Sequence, residues 1–137
     1  VEGKPHWMDL EDAAALPWLQ QYQRNPYPTQ IVWRQEEVTH PHFYRLTAPA
    51  NQLQRGKTVR LSLKGNTVTI SQCDYTQLTL HFNDQMVNLD KPITIRMNGK
   101  TLFKGKLSRT LANLQSSLAT RNDLRYMFPA QVTVKCP

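Results

Sequence analysis

The chain has 137 residues, and its apolar content of 39% and charged content of 20% are those of one globular domain. No stretch approaches the roughly 20 apolar residues that a membrane-spanning helix needs, so we expect no membrane partner. The net charge of +7 is compatible with nucleic-acid binding, but the sequence has no RNP, helix-turn-helix or zinc-finger spacing, and we expect no nucleic-acid partner.

The N-terminal region predicts a loop followed by a helix. Asp9 is a good N-cap residue for that helix. Pro17 has no amide hydrogen, so it either kinks the helix or lies in the first turn of a second one. Two prolines in the segment 25–29 force extended backbone and predict a linker. We therefore divide the chain into an N-terminal loop, helix and linker, residues 1–28, and a β domain, residues 29–137.

The β domain begins where the apolar residues change to alternating spacing, which predicts seven or eight short strands. Gly65-Asn66 predicts a hairpin turn that pairs Leu63 with Val68, so the apolar side chains of both strands share one face. The basic residues alternate with these apolar positions, as they do where one face of a sheet meets water. They are Lys57, Arg60, Lys64, Arg96, Lys100, Lys104 and Lys106.

A second hairpin and a helix follow. Asn98-Gly99 predicts a type I′ turn, because both residues tolerate positive φ. Ser108 is the predicted N-cap of a helix whose leucines at 111, 114 and 118 form a stripe that should cover part of the sheet. The chain is therefore predicted to be mainly β, a small antiparallel β-sandwich with an N-terminal helix and one helix before the last strand.

The spacing of the two cysteines argues against metal-binding and redox motifs. Cys73 and Cys136 belong to no Cys-x-x-Cys pair and have no histidine at metal-ligand spacing, so zinc and thioredoxin chemistry are not expected. Two free thiols are the first expectation, and a disulfide is the alternative in an exported protein. We expect no cofactor. The compartment is undetermined, with a periplasmic or secreted location slightly favoured.

The one candidate catalytic residue is His6, which lies in the segment Gly3-Lys4-Pro5-His6-Trp7-Met8 directly before the predicted helix. In α/β-hydrolases the catalytic histidine lies on a loop late in the chain, after the serine and the acid. The segment resembles the last catalytic loop of a bacterial α/β-hydrolase, esterase-like or dienelactone-hydrolase-like. Further segments resemble the tail region of such enzymes: Asn25-Pro26-Tyr27-Pro28, Ile31-Val32-Trp33, His42-Phe43-Tyr44, Leu89-Asp90-Lys91-Pro92-Ile93-Thr94-Ile95, Asn98-Gly99-Lys100 and Met127-Phe128-Pro129-Ala130.

The resemblance implies that His6 takes the proton from a serine and returns it to the leaving group. None of the five glycines forms Gly-x-Ser-x-Gly, so the isolated chain is expected to be inactive. The implied function is that of a noncatalytic accessory domain of a serine esterase or peptidase, for domain packing, substrate-entrance shaping or oligomerisation. Its expected partner is a missing N-terminal catalytic domain or another copy of itself.

The alternative function is that of a free-standing module that binds carbohydrate or protein. Trp33, Phe43, Tyr44 and Tyr75 either form a sugar-stacking face or, as we expect, fill the core or a domain contact. The N-terminal helix distinguishes the two functions. Packing of its apolar side chains on the sheet would indicate a self-contained module, whereas their exposure would indicate a further domain.

Three histidines and one aspartate are the candidate ligands of a metal site. His40 and His42 are two residues apart, so in a strand they would share a face, and His81 or Asp84 could join them. Because exposed strand histidines are common, we expect these residues to hold no metal.

Overall fold

The computed structural model describes residues 13–137, which form two β-sheets and two α-helices. Each strand bears the alternating or β-branched pattern that suits a half-buried pleated surface. In chain order the elements are α1 (Ala15–Gln20), β1 (Gln30–Arg34), β2 (His42–Phe43), β3 (Leu46–Thr47), β4 (Thr58–Lys64), β5 (Thr67–Cys73), β6 (Gln77–Phe82), β7 (Ile93–Met97), β8 (Lys100–Gly105), α2 (Leu111–Arg121) and β9 (Ala130–Lys135). Short 3-10 turns span Ala50–Gln52 and Leu124–Tyr126.

The predicted fold class is confirmed, since the described chain is mainly β, with two sheets, a short N-terminal helix and a second helix before the last strand. The five-stranded sheet has the order β1-β4-β5-β7-β8, and the four-stranded sheet has the order β2-β3-β6-β9. One pair in the described sheets departs from the antiparallel expectation, because β5 and β7 are parallel. Between them the chain leaves the sheet, forms β6 in the other sheet and returns in the original direction.

Both predicted hairpins are present in the five-stranded sheet. Leu63 pairs with Val68 across the β4–β5 turn, where Gly65 has a φ of +55°. The β7–β8 turn has positive φ at both Asn98 (51°) and Gly99 (76°), as a type I′ turn requires. The register next to each turn therefore follows from local turn chemistry, and it shifts farther along the strands, between Arg60 and Leu61 and between Ile95 and Arg96.

One apolar core lies between the sheets and receives alternate side chains from both. Burial of a large aliphatic side chain contributes about 1.5–3 kcal/mol, so this cluster is the main source of stability. Its members include Ile31, Trp33, Leu46, Val59, Leu61, Val68, Ile70, Leu78, Leu80, Phe82, Ile93 and Ile95. The basic residues lie mostly outside it: Arg60, Lys64, Arg96, Lys100, Lys104 and Lys106 are exposed, whereas Lys57 is half-buried with its ammonium 5.0 Å from the centre of the Tyr75 ring.

One prediction for α2 is wrong. Its N-cap is Thr110, whose hydroxyl accepts a hydrogen bond from the Asn113 amide at 3.1 Å, and not Ser108. The leucine stripe covers the sheet only in part, since Leu111 is 68% exposed and Leu114 and Leu118 are half-buried, whereas Ser117 is the buried residue of this fully described helix. The reason is that α2 lies on the polar outer face of the four-stranded sheet.

The linker before β1 is fastened to the β domain, whereas α1 is not packed on it. The Arg24 guanidinium pairs with Asp123 at 3.1 Å, and the Tyr27 hydroxyl donates to the Arg125 carbonyl. Pro17 lies in the first turn of α1, which is one of the two positions predicted for it. None of the residues of α1 is buried. The predicted Asp9 cap lies outside the described residues. No helix within residues 13–137 is long and apolar enough to cross a membrane.

Candidate functional site

A polar cleft lies between the outer face of the four-stranded sheet and α2. Because side chains alternate along a strand, β6 directs Leu78, Leu80 and Phe82 inward and presents Thr79 and His81 on the other face. The neighbouring strands β3 and β9 add polar residues to that outer face through the same alternation. They are Thr47, Gln131 and Thr133.

Hydrogen bonds connect these side chains across the strands. The Thr47 hydroxyl lies 2.9 Å from His42 Nδ1 and 2.8 Å from His81 Nε2, so it bridges the two imidazoles. The Thr79 and Thr133 hydroxyls lie 2.8 Å apart on the adjacent pair of strands. Such cross-strand pairs hold the side chains in fixed positions, so the floor of the cleft is preorganised.

Helix α2 lies over this floor, and its buried residue Ser117 helps to anchor it. The Ser117 hydroxyl accepts the Phe128 amide at 2.8 Å and donates to the Leu114 carbonyl at 3.0 Å. Beside this anchor the helix leaves a cavity of about 250 Å³, lined by Ser116, Thr120 and the polar strand residues. A second cavity of about 470 Å³ adjoins it and shares His42, Thr120 and Arg121.

The charged group of the cleft is Arg121, at the C-terminus of α2. Its Nη2 donates to the Leu46 carbonyl at 3.2 Å, and its guanidinium carbon lies 5.6 Å from the centre of the Phe128 ring and 5.8 Å from that of Tyr126. Burial lowers its pKa from the ordinary value, although an arginine stays charged at neutral pH. Within residues 13–137 no carboxylate pairs with this guanidinium.

The two histidines of the cleft are neutral at neutral pH. Burial, then the positive charge of Arg121 and then His42 lower the pKa of His81 to about 4. Burial, followed by Arg121 and His40, also lowers the pKa of His42 below its ordinary value. The cleft therefore combines one fixed positive charge with neutral imidazoles and hydroxyls. That combination suits an anionic or polyhydroxylated ligand, to which these groups can offer hydrogen bonds.

The predicted aromatic set divides between the core and the rim of the cleft. Trp33 and Tyr75 are buried, with ring centres 5.9 Å apart, so the expectation that aromatics fill the core holds for these two. Phe43 stacks on Trp33 at 5.7 Å and contacts Tyr44 edge-on at 4.9 Å. Tyr44 in turn lies 6.3 Å from Tyr126 at the mouth of the larger cavity.

The other candidate site residues are dispersed. His6 lies outside the described residues. His42 and His81 come together, but His40 is exposed, and Asp84 forms an ion pair with Arg109 on the surface. In the part of the chain that the structure describes, no three histidine, cysteine, aspartate or glutamate side chains form a group that could hold a metal ion.

Sequence reasoning missed Arg121 and the hydroxyl lining, because polar residues that alternate along a strand are also typical of a solvated face. One usable signal was present. Ser116, Ser117, Thr120 and Arg121 make one side of α2 as polar as the strands it covers. A polar helix side that faces a polar sheet surface predicts a cleft, but only after their packing is known.

The fold and the cleft define a β-sandwich-like domain with a polar, arginine-containing cleft under its second helix. Comparison of the chain with protein-family models, with curated proteins and with solved structures gives no match.

Proposed function

We propose that this chain is a noncatalytic C-terminal accessory domain of an α/β-hydrolase and that it packs on the catalytic domain through α1. The exposure of the apolar side chains of α1 supports this proposal most. Trp18 is 55% exposed and Leu19 is 56% exposed, and Leu16 and Tyr22 are exposed beside them. A contiguous exposed apolar surface is typical of a site that another domain covers.

The fastened linker supports the same interpretation. Besides the contacts of Arg24 and Tyr27, the fully buried Arg45 donates from Nη1 to the Pro28 carbonyl at 2.7 Å. These contacts hold the chain on the β domain directly after α1. A helix that packs on another domain would therefore be held at a fixed position relative to the two sheets, as domain packing requires.

The resemblance of the His6 loop to a catalytic loop adds a role for this packing. His6 lies nine residues before Ala15, the first residue of α1. Anchoring α1 between two domains would restrict the position of the loop and with it the general base. Misplacing such a group by about 1 Å can slow catalysis about 100-fold, so an accessory domain can matter without touching the substrate.

The first experiment reads the coding sequence upstream of Val1 and expresses the longer protein. We expect an upstream Gly-x-Ser-x-Gly motif followed by an Asp or Glu. We also expect hydrogen exchange of the amides of residues 15–22 to be slower in the longer protein than in the 137-residue chain. The double variant Trp18→Ser/Leu19→Ser should restore fast exchange, whereas Leu124→Ser, at another exposed leucine, should not.

Two outcomes would contradict this proposal separately. Equal exchange of α1 in the long and short proteins would overturn the packing, and an upstream sequence without the serine motif would overturn the hydrolase parent. Self-association of the short chain through α1, measured by light scattering and abolished in the double variant, would identify another copy as the partner instead.

The role of His6 is tested in the same longer protein. His6→Ala should lower ester hydrolysis by at least about 10⁴-fold, as expected for loss of a triad base. His40→Ala is the matched control, because His40 is an exposed histidine of the β domain. If both variants keep full activity, His6 is not the general base.

A second candidate function is binding of carbohydrate by a free-standing module, and the cleft under α2 favours it. Its lining of hydroxyls matches sugar hydroxyls, and Arg121 matches a carboxylate, so a sugar acid is the expected ligand class. Calorimetry should detect glucuronate and not glucose. Arg121→Gln should abolish the signal, and Arg96→Gln, at an exposed arginine of the other sheet, should preserve it. Equal binding of both sugars, or of neither, would remove this candidate.

A further inference from the structure

The two cysteines lie at the ends of two strands that belong to different sheets. Cys73 is the last residue of β5, and Cys136 follows directly after β9. The Cys73 thiol donates to the Tyr75 carbonyl at 3.5 Å, and the Cys136 amide donates to the Thr76 carbonyl at 2.9 Å. The connection between β5 and β6 therefore contacts both cysteines and holds them side by side.

Both cysteine side chains pack against the apolar core. The neighbouring Cys136 side chain lowers the pKa of Cys73, and Cys73 in turn raises the pKa of Cys136. Both residues are half-buried, so a small reagent has access to them. The sulfur with the lowered pKa is the better populated thiolate, and the thiolate is the attacking species in disulfide exchange.

We propose that Cys73 and Cys136 are a disulfide-forming pair that covalently joins the two sheets when the protein meets a small-molecule disulfide. The Cys73 thiolate attacks one sulfur of oxidised glutathione, which releases one glutathione thiolate and forms a mixed disulfide on Cys73. Cys136 then loses its proton and attacks the Cys73 sulfur, which releases the second glutathione thiolate. The protein loses two electrons and two protons, and one oxidised glutathione becomes two reduced ones.

The cross-link has a direct structural consequence. It closes a loop of roughly 60 residues that contains β6, β7, β8, α2 and β9, which restricts the unfolded chain. It also ties the end of β5, the central strand of one sheet, to the end of β9, an edge strand of the other. Disulfides persist in oxidising compartments, so this pair would stabilise the domain mainly outside the cytoplasm.

The test incubates the folded 137-residue chain with oxidised glutathione and measures its intact mass and its alkylatable thiols. We expect a mass decrease of about 2 Da, no alkylatable thiol and a monomer on a nonreducing gel. Urea unfolding of the oxidised monomer should give an equilibrium constant about 10- to 1000-fold lower than that of the reduced protein. Dithiothreitol should reverse both changes.

Cys73→Ser and Cys136→Ser serve as matched variants. Each should end as a stable mixed disulfide with one glutathione and should show no loss of about 2 Da. The proposal is overturned if the folded wild-type protein keeps two alkylatable thiols or forms the link only after unfolding in urea. These measurements use the wild-type chain, so a poorly folding serine variant would not prevent a decision.

Discussion

The inner and outer faces of the four-stranded sheet are made by the same strands but differ in chemistry. On β6 the inner residues Leu78, Leu80 and Phe82 have no exposed surface and belong to the apolar core. The outer residues Thr79 and His81 take part in a hydrogen-bonded network beside a cavity. Close packing on one face leaves the other free to carry specific polar chemistry, because the core already supplies the stability.

The largest expected effect belongs to the inner face. Leu80→Ala removes a fully buried side chain and should lower the free energy of unfolding by about 2–5 kcal/mol. Leu111→Ala is the control, because Leu111 is exposed on α2, and it should change stability by less than about 0.5 kcal/mol. Urea unfolding followed by circular dichroism measures both. Similar losses for the two variants would show that the inner face is not the main source of stability.

The next effect is a loss of stability in acid that arises on the outer face. Burial lowers the pKa of His81 from 6.5 to about 4 in the folded state, so the unfolded chain binds the proton more readily. Stability is fully present above pH 6.5 and falls as the pH drops toward 4, by about 1 kcal/mol per pH unit. Burial, Arg121 and His40 lower the pKa of His42, which adds to the loss.

The variant His81→Gln isolates the contribution of His81 to the pH dependence of stability, because glutamine keeps hydrogen-bonding groups but does not titrate. Urea unfolding at several pH values between 4 and 7 should give a shallower pH dependence for the variant than for the wild type. His40→Gln, at an exposed histidine, should change the slope less than His81→Gln does, because His40 acts only through the pKa of His42. Identical slopes for wild type and His81→Gln would place the acid sensitivity elsewhere.

A smaller loss is expected where α2 attaches to the outer face. Ser117→Ala leaves the buried Phe128 amide without its acceptor, which should cost about 1–3 kcal/mol. Ser116→Ala, at the neighbouring exposed serine, should be close to neutral. Comparison of the urea midpoints of the two variants tests whether the Ser117 hydroxyl holds α2 in place. If Ser117→Ala does not change the midpoint, other contacts hold the helix.

The smallest effect compares adjacent residues of β9 that face opposite ways. Thr133→Val removes the hydrogen bond to Thr79 on the outer face, and it should cost less than about 1 kcal/mol because valine suits a strand. Val134→Thr places a hydroxyl in the core and should cost about 1–3 kcal/mol. Thermal unfolding measures both variants. A lower midpoint for Thr133→Val than for Val134→Thr would contradict the distinction between the two faces.

Local features of the sequence accounted for most strands and both hairpins. Gly65 and Asn98-Gly99 supply positive φ at the turns, and the alternating residues on either side then have only one register that buries them together. The parallel pairing of β5 with β7 was not predictable in this way, since it depends on which sheet β6 joins. No local pattern specifies that choice.

The misplaced N-cap of α2 and the missed cleft have a tertiary origin. Ser108 and Thr110 are both good capping residues, and the extended Thr110 is selected because its amide donates to the Pro129 carbonyl at 2.8 Å. Arg121 is recognisable as a site residue only once α2 lies on the outer face, beside His42 and His81. The candidate site is thus formed by long-range packing, whereas the strands are formed by short-range pattern.

The parallel junction of β5 and β7 also bears on the order of folding. The β4–β5 and β7–β8 hairpins are local and can form within about 1–10 μs. Their junction, which brings Thr67 beside Thr94, requires the chain between them to close a loop first. The junction should therefore form later than either hairpin, and the rate of folding should depend on closing this loop more than on forming either turn.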